Sequence, residues 1–382
     1  MRLQPLEGAE PREVLRALRG AVLGAGPAIA LGGGTDLPAE VPAGTAVVVT
    51  TSGSTGHPKS VALSRSALTS GALATAERLG EGAWLLALPA VYVAGVQVLV
   101  RSLVGGREPA ILSGGFSAAA FAAAASSMAA SEHGRRVPTF TSLVPAQLQT
   151  VVEAGEADAA VARALASFEA VLIGGQALPA PLAERAAALG ARIVRTYGST
   201  ETSGGCVYDG VPLPGVGVRI VDGEVWLSGP TLADGYLGDP ARTAAVFPTD
   251  GDGIRWYRTG DAGAIDDGVL RVTGRRDNVI VSGGVNVSLD RVEHVVRALP
   301  GLTAAVVVPV PDERWGEASV VVLPAAAVAG QSEADVLAAI RGAVQAAIGA
   351  PARPRAVRVL TELPTLPSGK PDRAALRALL RA

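Results

Sequence analysis

The sequence of 382 residues contains one cysteine, three histidines and almost no net charge. A single thiol, Cys206, cannot form an intramolecular disulfide, and a thiolate metal site needs more than one cysteine. The three histidines lie too far apart along the chain to form a familiar local zinc motif. These absences exclude a disulfide-stabilised fold and a protein of the zinc-finger type.

Biases of charge and hydropathy that would indicate a polyanionic or membrane partner are also missing. The 33 basic and 35 acidic side chains give a formal net charge of -2, so a nucleic-acid partner is not expected. The first residues mix acids, prolines and bases where a secretory leader needs an apolar centre. The alanine-rich stretch at 115–131 contains serines and is predicted to be a packed helix. We therefore expect a cytoplasmic protein without a membrane span.

Short β-branched runs alternate with helical patterns in the first half of the chain. A strand is predicted at 46–50, a helix at 64–80 and a strand at 84–89, and further strands follow near 137–143, 170–175 and 192–198. This alternation predicts an α/β fold in which glycine-rich turns follow the strands. Open α/β sheets bind their ligands at such strand ends.

The pattern of predicted secondary structure changes twice in the second half of the chain. Short strands with frequent turns predict a β-rich subdomain at about 205–275, and a mixture of helices and strands beyond it predicts a small α+β module. We place the boundary in GRRDN at 274–278, which gives a large domain at 1–276 and a small domain at 277–382. The length is sufficient for two or three domains.

The stretch TTSGSTGHPKS at 50–60 directly follows an apolar strand. Its hydroxyls, its glycines and Lys59 suit the binding of phosphate oxygens. It is not the common nucleoside-triphosphatase loop, because Pro58, which has no N–H to donate, stands where the second glycine belongs. The stretch therefore predicts either a phosphate loop of another kind or an ordinary solvated turn.

Six motifs occur in one order along the chain: TTSGSTGHPKS, LIGGQALP, YGSTET, YRTGD, GRRDNVIVSGGVNVS and LPTLPSGKPDR. Together they resemble the acyl- and aryl-adenylate-forming ligase superfamily, which includes the acyl-CoA synthetases, over most of residues 46–375. The stretches at 86–103 and 141–149 resemble the o-succinylbenzoate–CoA ligases of menaquinone synthesis, in a shortened form with about 45 residues before the phosphate loop. The resemblance implies a large domain of layered α/β sheets and a small mobile C-terminal lid.

The resemblance implies a two-step reaction that uses ATP, Mg²⁺ and coenzyme A. A carboxylic acid attacks the α-phosphate of ATP, and the CoA thiolate then displaces AMP from the acyl-adenylate. The implied nucleotide site comprises Thr51, Ser52, Gly53, Ser54, Thr55, Gly56 and Lys59 on the phosphates, Gly174, Gly175, Gln176, Tyr197 and Gly198 around adenine, and Asp261 and Arg275 on the ribose. The implied catalytic residues are Thr200 at the α-phosphate, Glu201 on Mg²⁺, and Lys370 between the substrate carboxylate and the ester oxygen.

The second half-reaction and the acyl group are assigned in the same way. Asp277 matches the hinge of the family, and Ser282, Gly283 and Gly284 match the loop that enters the site for thioester formation. The implied acyl pocket comprises Tyr92, which stands where the family often has histidine, together with Gly95, Arg101 and Arg195. Without the resemblance, Tyr92 could equally be a buried core residue. The two arginines would be expected on the surface, and Lys370 would be expected in a solvated loop.

Three functional hypotheses follow from these residues. The first is an o-succinylbenzoate–CoA ligase, and the second is an adenylate-forming ligase for another aryl or fatty acid or for a carrier-protein acceptor. The third is a non-catalytic nucleotide-binding scaffold, which would not need Lys59, Glu201, Asp261, Arg275 and Lys370 together. The expected partners are a small carboxylic acid, ATP and CoA, with no nucleic acid and no membrane span. The sequence is also compatible with a homo-oligomer.

Overall fold

A computed structural model describes residues 1–6, 10–24, 26–33, 37–51, 58–128, 131–132, 134–328, 330–366 and 369–381. Most of the predicted phosphate loop lies outside the described residues, namely Ser52, Gly53, Ser54, Thr55 and Gly56. The two strands that precede and follow this stretch are described.

The N-terminal part consists of two mixed sheets with helices packed against them. Its strands are β1 (Leu3–Pro5), β2 (Ala28–Leu31), β3 (Thr45–Thr51), β4 (Lys59–Ser64), β5 (Ala83–Leu86), β6 (Ala110–Ile111), β7 (Ser131–Glu132), β8 (Arg135–Arg136), β9 (Thr139–Leu143), β10 (Ala170–Ile173), β11 (Ile193–Ser199), β12 (Gly204–Tyr208) and β13 (Val211–Pro212). Its helices are α1 (Pro11–Leu23), α2 (Arg65–Leu79), α3 (Val93–Val104), α4 (Ala118–Ser126), α5 (Pro145–Ala157), α6 (Ala159–Ala166) and α7 (Ala180–Ala188).

The remaining elements form a β-rich region and then a small α+β unit. The β-rich region contains β14 (Gly217–Val221), β15 (Glu224–Ser228), β16 (Gly235–Tyr236), α8 (Pro240–Val246), β17 (Trp256–Asp266) and β18 (Val269–Arg275). The α+β unit, called the lid below, contains β19 (Val279–Ser282), β20 (Val285–Ser288), α9 (Leu289–Arg297), β21 (Val306–Asp312), β22 (Gly316–Pro324), α10 (Glu333–Ala347), β23 (Ala356–Leu360) and α11 (Arg373–Arg381).

The order of the strands brings distant segments of the chain together. One sheet has the order β1-β2-β3-β4-β16, in which β3 and β4 form an antiparallel hairpin. A second sheet has the order β13-β12-β11-β10-β9-β5-β6, and its strands from β11 to β6 are parallel. The strands β14-β15-β17-β18 form an antiparallel sheet, and the lid has the order β20-β19-β22-β21 with β23 beside β22. The predicted α/β fold class is confirmed.

The N-terminal sheets share one apolar core with the β-rich region, and the lid has cores of its own. Helices α1, α2 and α3 bury Leu18, Leu68 and Leu99 against the first two sheets, while Phe121 and Phe168 lie in a second core on the other side. Full burial of such a side chain contributes about 1.5–3 kcal/mol, so these cores hold the strand ends in fixed positions. The lid buries a separate set of valines and leucines between its sheet and its helices.

Two predictions of local structure differ from the observed elements. The helix expected at 115–131 is shorter in the structure and corresponds to α4 alone. Its N-terminus is capped by Ser117, whose hydroxyl accepts the Ala120 N–H, and its C-cap is Ser127, where the chain turns. The strand expected at 84–89 ends at Leu86, beyond which the chain turns into α3. No helix within the described ranges has the length and apolar character required to cross a bilayer.

Candidate functional site

The β3–β4 hairpin places Lys59, the lysine of the predicted phosphate loop, at the beginning of a strand. Thr51 ends β3 and lies opposite Lys59, the first residue of β4. Residues 52–57, which lie between these two strands in the sequence, are outside the described residues. Thr51 Oγ1 is buried and has no hydrogen-bond partner among the described residues. The hairpin therefore presents one ammonium group and one hydroxyl next to the loop.

Lys59 forms an ion pair with Glu201, which lies far away in the sequence. Glu201 is only 2% exposed, and its Oε1 accepts hydrogen bonds from Lys59 Nζ and, at 2.9 Å, from the Tyr236 hydroxyl. Burial would raise the pKa of the Glu201 carboxyl, but the Lys59 ammonium and these hydrogen bonds outweigh burial and lower it. Glu201 is therefore an anion at neutral pH despite its burial.

A cavity of about 180 Å³ lies beside Lys59. Lys59, Tyr236 and Arg242 line it, with the Arg242 guanidinium carbon 4.9 Å from the centroid of the Tyr236 ring. Two cationic side chains thus lie on one aromatic ring, because Lys59 Nζ is 5.4 Å from the same centroid. The lining also contains Asp239, so the wall carries one carboxylate beside its two cationic side chains.

The ends of β10 and β11 form the wall predicted to face adenine. Gly174, Gly175 and Gln176 follow β10, while Tyr197 and Gly198 lie near the end of the adjacent β11. A Cβ on Gly198 would come 2.2 Å from the Gly204 carbonyl oxygen, so this close pairing of β11 with β12 requires glycine. The parallel pairing of the two strands brings these residues to the same edge of the sheet.

Tyr197, Asp261 and Arg275 form a connected network that the sequence predicts only as separate residues. The Tyr197 hydroxyl donates to Asp261 Oδ2 at 2.6 Å, and Arg275 Nη1 donates to Asp261 Oδ1 at 3.3 Å. Burial raises the pKa of the Asp261 carboxyl, although the Tyr197 hydroxyl and Arg275 act in the opposite direction. This strongly hydrogen-bonded carboxylate is well suited to accept ribose hydroxyls.

Thr200 and Glu201 lie in one short 3₁₀ turn, at Thr200–Thr202, directly after β11. The turn is fixed by hydrogen bonds of Thr202 Oγ1 with the backbone N–H of Ser199 and the Gly204 carbonyl. Thr200 remains half-exposed beside the buried Glu201. The turn therefore presents a hydroxyl and a carboxylate at the same strand end as the adenine wall.

The lid brings Lys370 to this strand end. A tight hairpin holds it, in which the Leu366 N–H donates to the Lys370 carbonyl at 2.7 Å and the Gly369 N–H donates to the Leu366 carbonyl at 2.8 Å. Lys370 Cε lies 3.6 Å from the point where a Cβ on Gly175 would be. The side chain keeps access to solvent, but surrounding protein atoms remove part of its hydration and lower the pKa of the ammonium group.

The environment of Lys370 gives a prediction about its titration. The chain has only two lysines, Lys59 and Lys370, so reductive ¹³C-methylation should label these and the N-terminal amine of Met1 alone. We expect the NMR titration of Lys370 to give a pKa below its ordinary value of 10.5, because partial desolvation disfavours the cation. Loss of one signal in Lys370→Arg assigns the resonance. A pKa at or above 10.5 would contradict the observed packing.

The predicted hinge residue, Asp277, forms an ion pair with Arg275, the arginine predicted to contact the ribose. Arg275 Nε and Nη2 donate to the two carboxylate oxygens of Asp277 at 3.0 and 3.1 Å, and this bidentate pair lowers the pKa of the Asp277 carboxyl. Arg275 thus joins the ribose carboxylate Asp261 to the first residue assigned to the lid. The same guanidinium therefore contacts both the predicted ribose carboxylate and the predicted hinge residue.

The loop predicted for thioester formation lies at the β19–β20 turn. Ser282 ends β19, and Gly283 and Gly284 connect it to β20, with the Gly283 N–H donating to the Trp315 carbonyl at 2.9 Å. Apolar side chains around this turn are exposed, namely Val279, Val281, Val285 and Trp315. An exposed apolar surface of this kind is typical of a surface that contacts another part of a protein.

The four residues predicted for the acyl pocket differ in their burial. Tyr92 precedes α3 and Gly95 is buried in its first turn, while Arg195 is exposed on β11. Arg101 is buried deeper in the same helix, where its guanidinium lies 4.8 Å from the Trp84 ring and donates to the Tyr208 hydroxyl at 3.1 Å. In this conformation Arg101 therefore has the contacts of a core residue.

Sequence reasoning missed Tyr236, which contacts both Lys59 and Glu201. Its position is set by β16, a two-residue strand that pairs with β4, and no local pattern indicates that pairing. Another signal was available in the composition, since only two of the 33 basic residues are lysines. Both lie in the candidate site, where an ammonium group can act as a compact point charge on phosphate oxygens.

Similarity to known proteins agrees with this geometry. The chain matches the AMP-binding enzyme family over residues 7–237 and the AMP-binding enzyme C-terminal domain over residues 291–370. It is 41% identical to a probable 2-succinylbenzoate–CoA ligase of Mycobacterium tuberculosis over 338 residues, which cover 87% of this chain and 83% of the relative.

Solved structures show the same fold. The structure of an Escherichia coli MenE with bound OSB-AMS has a TM-score of 0.72 and 25% identity, and the match covers 99% of this chain and 82% of that one. The amide bond synthetase McbA from Marinactinospora thermotolerans has a TM-score of 0.74 and 30% identity over 93% of this chain and 76% of its own. The predicted superfamily is thereby confirmed, and the chain belongs to the AMP-binding enzymes, the family of the AMP-forming acid–CoA ligases.

Proposed function

We propose that the protein is an ATP-dependent o-succinylbenzoate–CoA ligase that forms o-succinylbenzoyl-CoA, AMP and pyrophosphate. The observation that carries the chemistry is that the Lys59–Glu201 pair and Lys370 lie at the ends of the neighbouring strands β11 and β10, although they come from three separate parts of the chain. The choice of substrate is supported by the 41% identity to the probable mycobacterial 2-succinylbenzoate–CoA ligase.

In the first step a substrate carboxylate oxygen bonds to the α-phosphorus of ATP, and the bond to pyrophosphate breaks. Negative charge builds on the phosphate oxygens, so fixed cations and donors around them lower the barrier. Lys59 and the hydroxyls of the phosphate loop would hold the β- and γ-phosphates, and Thr200 would donate to the α-phosphate. Asp261 would accept the ribose hydroxyls, with Tyr197 and Arg275 fixing its orientation.

Glu201 fits the role of a magnesium ligand. It is ionised and buried at the same strand end as Thr200, and carboxylate oxygens are the ligands that Mg²⁺ prefers in nucleotide sites. Lys59 and Tyr236 both contact Oε1 and fix the carboxylate that would hold the ion. When bound, Mg²⁺ would neutralise charge on the phosphates. Within the described part of the chain, no cluster of three or more His, Cys, Asp or Glu residues could hold a metal ion.

Lys370 would act only in the first step. Its ammonium would bridge the substrate carboxylate and the ester oxygen of the ribose phosphate, and its position beside Gly175 supports this role. For the second step we propose that the lid, residues 277–382, turns about Asp277. The loop of Ser282, Gly283 and Gly284 would then enter the site, and the exposed valines around it would become buried.

In the second step the CoA thiolate bonds to the acyl carbon, and AMP leaves with the electrons of the acyl–oxygen bond. Tyr92 and Gly95 would border the acyl group, and Arg195 would be the cation for its second carboxylate, since Arg101 already contacts Trp84 and Tyr208. ATP and CoA are cytoplasmic metabolites, so we propose that the reaction takes place in the cytoplasm, where the protein would act alone or as a homo-oligomer.

A second candidate retains adenylation but changes the substrate or the acceptor. The likeness to the amide bond synthetase McbA, at 30% identity, favours an amine as the alternative nucleophile. A panel of acids tests both: o-succinylbenzoate, benzoate, a hydroxycinnamate and a fatty acid, each incubated with ATP, Mg²⁺ and either CoA or an amine. Mass spectrometry should show thioester formation from o-succinylbenzoate and CoA. Amide products would favour the second candidate, and the absence of pyrophosphate release from every acid would exclude both.

A further inference from the structure

The carboxylate of Asp290 bridges the two sides of the proposed hinge. Asp290 lies in the first turn of α9, and its Oδ2 accepts the backbone N–H of Arg275 at 2.6 Å. Its Oδ1 accepts Asn278 Nδ2 at 2.7 Å. One carboxylate therefore binds the residue two positions before Asp277 and the residue directly after it.

The two partners of Asp290 belong to different parts of the molecule. Arg275 is the last residue of β18 and is paired with Asp261 in the β-rich region. Asn278 belongs to the lid, since its carbonyl accepts the Leu289 N–H at 3.0 Å at the start of α9. The bond from Arg275 to Asp290 therefore crosses the hinge, whereas the bond from Asn278 to Asp290 lies within the lid.

The body side of the hinge has its own fixed contacts. Arg276 Nη1 donates to Glu224 Oε2 at 3.2 Å, and Glu224 is buried, with its Oε1 accepting the Gly260 N–H at 3.0 Å. Glu224 thus connects the segment that precedes the hinge to Gly260, the residue before Asp261. A rotation at Asp277 would leave Arg275 and Arg276 in place and carry Asp290 away from them.

The contact across the hinge is close, and it coincides with the presence of Lys370 in the site. A Cβ added to Gly274 would lie 2.6 Å from Asp290 Cβ, so β18 and α9 touch at this point. In the same conformation Lys370 Cε reaches the position beside Gly175. The bond from Arg275 to Asp290 and the delivery of Lys370 therefore belong to one arrangement of the lid.

We propose that Asp290 is a positioning residue for the adenylation step, because its carboxylate locks the hinge in the arrangement that delivers Lys370 and must release Arg275 before thioester formation. This inference rests on the proposed function. Acidic residues in the first turn of a helix are common because they complement the helix dipole. Asp290 differs from such residues through its short, charge-assisted bond to a backbone N–H of the other domain.

The two half-reactions test the proposal because they should respond differently. In Asp290→Ala we expect adenylation, measured as pyrophosphate release, to slow about tenfold, the effect expected when one charge-assisted hydrogen bond is lost. Thioester formation from supplied acyl-adenylate should be unchanged or faster, because the other lid arrangement is no longer opposed. Asp290→Asn should recover most of the adenylation rate, since an amide oxygen still accepts the Arg275 N–H.

The matched control is Asp335→Ala, which removes an exposed acid from the first turn of α10 in the same lid. It should leave both half-reactions at the wild-type level, and melting temperatures of all variants would identify loss of folding. Equal losses of the two half-reactions in Asp290→Ala, or no loss in either, would overturn the proposal.

A readout that does not depend on activity separates this inference from the proposed function. Cys206 is fully buried, so spin labels attached through Glu184→Cys on α7 and Ala346→Cys on α10 would report the distance between the body and the lid. We expect one dominant distance in the parent protein and a broader or shifted distribution when Asp290→Ala is added. An unchanged distribution would overturn the role of Asp290 even if the enzyme proved inactive with every acid tested.

Discussion

Replacement of Lys370 by alanine should reduce adenylate formation by about 10²–10³-fold, the loss seen when one preorganised group that stabilises transition-state charge is removed. The same variant should convert supplied acyl-adenylate and CoA to thioester at nearly the wild-type rate, because the proposed lid rotation turns Lys370 away in that step. Pyrophosphate release measures the first half-reaction, and mass spectrometry of the thioester measures the second.

The control for this prediction removes a cation elsewhere in the lid. Arg358 lies exposed on β23, so Arg358→Ala changes the charge of the lid by the same amount without touching the site. It should retain both half-reactions. A Lys370→Ala variant that loses the two half-reactions equally would be inconsistent with a lid that presents different groups in the two steps.

Replacement of Glu201 by glutamine should also abolish most of the adenylation, with a loss of at least about 10²-fold. The amide keeps the shape of the side chain and an oxygen for the Tyr236 hydroxyl, but it removes the charge that faces Lys59 and the proposed Mg²⁺. The measurement is the rate of pyrophosphate release as a function of Mg²⁺ concentration. Wild-type rates in the variant would exclude the assigned role of Glu201.

Tyr236→Phe separates the charge of Glu201 from its hydrogen bond. The variant keeps the carboxylate and its ion pair with Lys59 and removes one hydroxyl, so we expect a loss of adenylation below about tenfold. A loss as large as that of Glu201→Gln would mean that the position of the carboxylate, and not its charge, limits the reaction.

The Glu201 substitution should also change how stability depends on pH. The carboxyl has a lowered pKa in the folded protein, so it stabilises the fold above its ordinary pKa of 4.5 and loses this contribution as the pH falls through the lowered value. Glu201→Gln should therefore be less stable near pH 7, by about 1–3 kcal/mol. The difference from wild type should shrink in acid, which denaturant unfolding at several pH values would measure.

How far the sequence could predict this site depends on the range of the interactions involved. The strand and helix patterns of the first half predict elements such as α2 and β11 to within a few residues, because periodicity and turn residues act locally. The ion pair between Lys59 and Glu201 spans 142 positions, and it exists only because β4 and the end of β11 meet in the fold. No pattern along the chain encodes that distance.

The burial of Arg101 gives the clearest difference between the two kinds of information. By composition an arginine belongs on the surface, and the resemblance placed Arg101 in the acyl pocket. In the fold α3 carries it into the core, where Trp84 stacks on its guanidinium and Tyr208 accepts one of its hydrogen bonds. The residues next to Arg101 in the sequence do not determine which distant strands its side chain faces.

The sequence by itself determined the class of fold, the order of the motifs and the kinds of side chain available for phosphate chemistry, because these depend on local pattern and residue type. The tertiary structure alone decided which of these side chains meet. It joined Lys59 to Glu201 and Tyr236, set Tyr197 and Arg275 on Asp261, and placed Asp290 across the hinge. Such contacts are fixed by the packing of sheets and helices far apart in the chain, and that packing is a property of the whole molecule.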